Sequence, residues 1–134
     1  MIDGTVREAA RPGYGIQRRF YNVHYKKHSI KFQGICAPDG LIISITGPWE
    51  ATAHDWYIYS QSGIIPVLQY ILKDEPEDNI PCLFSDSIYN EAFGIHSVYS
   101  GRGIEMTARQ MAFNYIMSGA RVEVEHSYAM IINN

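Results

Sequence analysis

An α/β fold, in which a mixed central sheet is flanked by helices, is predicted by three features of the sequence. Two apolar runs joined by Pro38-Asp39-Gly40 have the pattern of a β-hairpin, and Ile64, Val67, Leu68, Ile71 and Leu72 recur at helical spacing. A third apolar run over residues 80–86 precedes a long stretch from Thr107 that again has helical periodicity. Strands and helices interleaved in one chain of 134 residues bury their apolar faces against each other, and helices on a sheet are the economical solution.

The elements follow in order. Ile2-Asp3-Gly4-Thr5 reads as a first strand that closes at Asp3. Residues 7–29 are rich in Gly, Pro, Arg, His and Tyr without a clean period, and read as a long basic arm. Residues 29–37 and 41–46 form the hairpin, which Gly47-Pro48 is expected to end, since proline cannot donate to a ladder. Two helical pieces follow, 56–61 and 64–72, and then the acidic loop 73–79. Residues 80–86 read as a short strand buried on both faces that surfaces at Asp86. Residues 88–98 are ambiguous and 100–103 form a turn. Thr107 is placed to cap a final helix with Met111, Phe113 or Tyr115, and Val122 on its packed stripe, Ser118-Gly119 being a candidate kink.

Composition narrows the class. At 46% hydrophobic and 19% charged residues the chain is globular, a single domain over residues 1–134, expected to be soluble and intracellular. No apolar run approaches the roughly 18–20 residues of a membrane span, and the first residues lack the order of a signal peptide. Cys36 and Cys82 lie in apolar runs without CxxC spacing, so buried free thiols are expected. The net charge of −3 conceals a division: residues 1–34 hold seven of the eleven basic residues and two of the fourteen acids. A basic arm beside an acidic body suits an enzyme that contacts phosphates and holds a metal on carboxylates; an ordinary solvated face has the same composition.

Asp3, Asp86 and Glu125 each sit at the end or edge of an apolar stretch. A carboxylate at a strand end, or on a helix face turned to the sheet, can hold a hard divalent cation, whereas in the core it would cost several kcal/mol unpaired. If the strands of Asp3 and Asp86 are neighbours, those carboxylates converge. Two or three carboxylates suffice for magnesium, which keeps several of its waters.

The motifs Ile2-Asp3-Gly4-Thr5, Arg11-Pro12, Tyr21-Asn22, Lys31-Phe32-Gln33-Gly34, Ala37-Pro38-Asp39-Gly40-Leu41-Ile42, Gly47-Pro48, His54-Asp55, Ser85-Asp86-Ser87-Ile88-Tyr89 and Arg121-Val122-Glu123-Val124-Glu125 run in this order along nearly the whole chain. Together they resemble the DDE endonuclease domain of PIF/Harbinger-type transposases. The resemblance implies an RNase H-like fold in which Asp3, Asp86 and Glu125 are the catalytic, metal-binding triad for Mg²⁺ or Mn²⁺, with nuclease chemistry on DNA. Glu125 is preferred as third ligand and Glu123 is the alternative. The resemblance further implies truncation at the first strand and after the last helix, and the lack of an N-terminal DNA-binding helical region. Such a chain either cleaves phosphodiester bonds or is an inactive domesticated remnant that binds DNA or protein, possible partners being DNA itself and a separate DNA-binding protein, with no membrane involved. Its expected compartment is nuclear or cytoplasmic, nuclear for a eukaryotic source.

Other residues remain open to two readings. His54 and Asp55 are an accessory ligand or base, or a cap for the following helix, Asp55 serving as N-cap. His24 and His28, four apart, are a metal pair only if helical; phosphate contact or plain exposure is the alternative. Arg18, Arg19, Lys26, Lys27 and Lys31 are candidate nucleic-acid contacts, with Tyr14, Phe20, Tyr21 and Tyr25 either stacking on bases or packing on the sheet. Trp49 and Trp56 read as core or loop anchors.

Overall fold

A computed structural model describes residues 1–76, 80–87, 89, 92–101 and 105–132, the side chains of Glu123, Ile131 and Ile132 excepted. The order is β1 (Ile2–Glu8), α1 (Gln17–Phe20), β2 (Tyr21–Asn22), β3 (Lys27–Cys36), β4 (Ile42–Glu50), α2 (Asp55–Gln61), α3 (Ile64–Ile71), β5 (Leu83–Ser85), β6 (Ile95–Ser97) and α4 (Ala108–Ile132). This is the mixed α/β architecture expected. Arg102 and Gly103 of the expected turn, and residues 77–79 of the acidic loop, lie outside the described residues.

Strand β3 organises the sheet. It pairs antiparallel with β1 from Ile2↔Ile35 to Glu8↔Ser29, with β4 on its other side, and with β2 near its start. The β3–β4 hairpin forms as Pro38-Asp39-Gly40 predicts, with Asp39 Oδ1 accepting from the Leu41 N–H at 3.0 Å and Gly40 at φ 84°. Strands β5 and β6 form a parallel pair, Leu83↔Ile95 to Ser85↔Ser97, and β5 lies against β1.

Alternation along β1 and β3 gives the sheet two working faces. Ile2 and Ile35 point to one face and pack with Tyr59, Tyr89 and Ile95. The other receives α4, whose Val124 and Tyr128 pack with Cys36. The approach is close because Gly34 has no side chain: a methyl group there would overlap the Tyr128 ring. The N-terminal part of α4 is fixed separately. Phe113 stacks edge-on against Phe84 at 5.7 Å, and Asn114 accepts from the Tyr99 N–H at 3.0 Å while donating to the Tyr99 carbonyl at 2.9 Å. Thr107 and Gln110 form a reciprocal capping box, the Gln110 N–H donating to Thr107 Oγ1 at 3.2 Å and the Thr107 N–H to Gln110 Oε1 at 2.9 Å.

Several expectations are corrected. Asp3 is the second residue of a seven-residue strand rather than its end, and the strand is tied down: the Met1 ammonium donates to the Cys36 carbonyl at 2.6 Å and the Cys36 N–H to the Met1 carbonyl at 2.8 Å. The arm over 7–29 is partly regular, holding the end of β1, α1, β2 and the start of β3. Strand β4 does not stop at Gly47-Pro48. It continues through this cis peptide to Glu50, because a register shift between Lys31 and Gln33 leaves Gly47 and Pro48 outside the ladder, where proline's missing donor costs nothing. Strand β5 starts only at Leu83, and Ile80 and Cys82 are exposed, so of the two thiols only Cys36 is buried. Helix α4 runs unbroken through Ser118-Gly119, and its packed stripe is Phe113, Met117, Arg121, Val124 and Tyr128, with Met111, Tyr115 and Val122 exposed.

Candidate metal centre

Three elements bring the predicted acids together. Asp3 projects from β1 to the α4 face, Asp86 follows directly on β5, and Glu125 lies on α4 between the contacts that Val124 and Tyr128 make. Because β5 lies against β1, the two aspartates are neighbours across the strands, as convergence requires. The point where the three meet is the guanidinium of Arg121. Its Nη2 stands 3.5 Å from Asp3 Oδ2 and 3.7 Å from Asp86 Oδ2, and its Nε donates to Glu125 Oε1 at 3.1 Å.

Helical geometry accounts for the last contact, since residues four apart share a face. The two clamps on α4, at Phe113 and Asn114 and at Val124 and Tyr128, hold the intervening Arg121 over the aspartates. The aspartate side chains are about one-sixth exposed, at 16% for Asp3 and 15% for Asp86, against 55% for Glu125. Burial pushes the Asp3 carboxyl up to about 6; Arg121 and the Gly4 N–H, 2.8 Å from Oδ1, act against this, and the charges of Asp86 and Glu125 add to it.

The donor chemistry suits a hard divalent cation: oxygen ligands only, from three elements, around a centre that carries positive charge here. As they stand, the described residues contain no group of three His, Cys, Asp or Glu side chains disposed to hold a metal, and the carboxylates are spread around a guanidinium. The side chain of Glu123, the alternative third ligand, lies outside the described residues.

The accessory candidates are placed elsewhere. Asp55 is the first residue of α2 and does not cap it; His54 holds the cap position, without a side-chain cap bond. The Asp55 carboxylate lies over Gly4, where an added Cβ would stand 2.5 Å from its Oδ1, and pairs with Lys31 Nζ at 3.0 Å. Adjacent strand residues face opposite ways, so Asp55 is on the far side of the sheet from the Asp3 carboxylate. Lys31 also donates to the Ala53 carbonyl at 3.0 Å, so this candidate nucleic-acid contact is half-buried and engaged within the fold. Gln33 donates to the Asp55 carbonyl at 3.0 Å and to the Tyr89 hydroxyl at 2.8 Å, linking the same layer.

The remaining cations are exposed. Arg19 pairs with Glu50 and Lys27 with Glu8 at 2.7 Å, and Lys26 has φ 53°. A groove of about 890 Å³ has Asp3, Arg121 and Glu125 in its wall together with His24, Tyr25 and Lys27. His24 and His28 are not a helical pair: His24 is in a turn against Tyr25, ring centroids 4.9 Å apart, and His28 is in β3 against Tyr21. Trp49 packs edge-on against Tyr57 and Trp56 lies beside Tyr59.

Arg121 is the residue that sequence reasoning left without a role. Its signal was the i,i+4 spacing to Glu125 on a helix, which puts an arginine within reach of the carboxylate. No helix among the described residues is long and apolar enough to cross a membrane. A family model described as DDE superfamily endonuclease matches residues 2–133 of the chain. No curated protein and no solved structure gives a match.

Proposed function

The chain belongs to the DDE superfamily endonucleases, and on that premise we propose that it is a divalent-metal-dependent DNA endonuclease domain of PIF/Harbinger type, built on an RNase H-like fold. The observation that carries this reading is the convergence of Asp3, Asp86 and Glu125 on one cationic point. Domains of this superfamily generally use divalent metals, and these three residues would hold Mg²⁺ or Mn²⁺. Such an ion, when bound, lowers the pKa of water and stabilises the leaving oxygen of a phosphodiester.

The chain's own groups supply the setting. The Gly4 N–H orients the Asp3 carboxylate, and the half-buried position of both aspartates strengthens every charge interaction at the site. The groove leads from Asp3 and Glu125 to His24, Tyr25 and Lys27, and the exposed Arg18, Arg19 and Lys26 are further cations available to phosphates. An RNase H-like arrangement is supported by the antiparallel β1–β3–β4 order, by β5 against β1, and by a long helix presenting Glu125 to the face that carries Asp3.

A second reading, a DNA- or protein-binding module without turnover, is favoured by the ion pairs that already engage the three acids. Supercoiled plasmid with Mg²⁺ or Mn²⁺ separates the two. The endonuclease nicks it and Asp86→Asn does not; equal absence of nicking with retained DNA binding in both proteins supports the module.

A further inference from the structure

Arg121 faces three carboxylates, two of them through a single nitrogen. Carboxylates gathered this closely repel one another, and half-buried ones do so with little screening. One guanidinium relieves the repulsion. It also occupies the oxygens that a divalent cation would need, and two cations cannot share them without repelling each other in turn.

Resting on the metal-centre reading above, we propose that Arg121 is an internal counter-ion: it holds Asp3, Asp86 and Glu125 together in the metal-free protein and is displaced when the divalent ion binds. The displacement needs only side-chain rotation. Helix α4 is fixed on both sides of Arg121, by Phe113 and Asn114 and by Val124 and Tyr128, so the backbone stays in place. The side chain of Arg121 is 35% exposed, and its Glu125 side opens to the groove, which gives the guanidinium an outlet. Arg121 is thus a positioning residue that sets the threshold of metal loading and keeps the carboxylates in register until the ion arrives.

Calorimetric titration of Mn²⁺ into the DNA-free protein tests this, with Arg121→Gln beside the parent. The proposal expects Arg121→Gln to bind Mn²⁺ at least tenfold more tightly, to melt below the parent without metal, and to recover more of its melting temperature with it. Equal or weaker binding by Arg121→Gln, with the parent binding Mn²⁺, overturns the counter-ion role and leaves the metal centre standing. Failure of both folded proteins to bind Mn²⁺ overturns the two together. Should Arg121→Gln not fold, a Mg²⁺ titration of the parent followed by nitrogen-15 NMR decides: the Arg121 Nε signal shifts in step with metal saturation, or stays fixed and overturns the proposal.

Discussion

Arg121 Nη2 and Asp3 Oδ2 lie 3.5 Å apart, yet burial pushes the Asp3 carboxyl up to about 6, above its ordinary 3.8. Burial outweighs the neighbouring guanidinium. A folded-state pKa above the unfolded one means the folded protein binds the extra proton, so Asp3 contributes stability that is complete below pH 3.8 and is lost as pH rises through about 6. Relative to Asp3→Asn, the parent loses up to about 3 kcal/mol between pH 4 and 7, taking about 1.4 kcal/mol per pKa unit. Urea unfolding of both proteins across that range measures it, and parallel pH curves would contradict the assignment.

If Asp3 is a metal ligand as proposed, metal affinity carries the same proton. A ligand must be ionised, so Mn²⁺ binding by the parent is expected to weaken as pH falls below about 6. Calorimetry at pH 5 and pH 7.5 shows this as a loss of affinity with proton release, and unchanged affinity would remove Asp3 from the ligand set.

Gly34 and Tyr128 are matched in size. Gly34→Ala drives a methyl group into the Tyr128 ring and is expected to cost about 1–3 kcal/mol, the usual penalty of overpacking. Adding Tyr128→Ala removes the clash, so the double variant is less destabilised than the sum of the singles in a denaturant-based mutant cycle.

Lys27 and Lys31 are both candidate DNA contacts by sequence, and the structure separates them. Lys27→Gln removes an exposed cation beside the groove, so it weakens DNA binding and lowers the salt slope by about 1 while leaving the melt unchanged. Lys31→Gln leaves the half-buried Asp55 without its cation and is expected to cost about 3 kcal/mol of stability, with little change in the salt slope. Fluorescence anisotropy at several salt concentrations, with thermal melts, checks both.

What the sequence revealed follows from where local chemistry decides structure. Pro38-Asp39-Gly40 dictates its own turn, the apolar spacing over 64–72 dictates α3, and Thr107 caps the start of α4. Strand β6 was illegible because three residues, Ile95–Ser97, carry no period, and their pairing with β5 is settled by tertiary contact. Of the stripe expected for α4, Phe113 is packed and Met111, Tyr115 and Val122 are not. The face turned to the sheet carries Asn114 and Arg121 among Phe113, Met117, Val124 and Tyr128, while those three apolar residues are exposed, so hydrophobicity alone does not single out the packed side of a helix that serves a site as well as a core.

The central claim, that Asp3, Asp86 and Glu125 form a metal centre, is tested most directly by anomalous scattering from a crystal soaked in Mn²⁺. The expected result is a manganese peak ligated by Asp3, Asp86 and Glu125, with the Arg121 guanidinium turned away from the aspartates. A map in which Arg121 still bridges the three carboxylates and manganese is elsewhere or absent would contradict it.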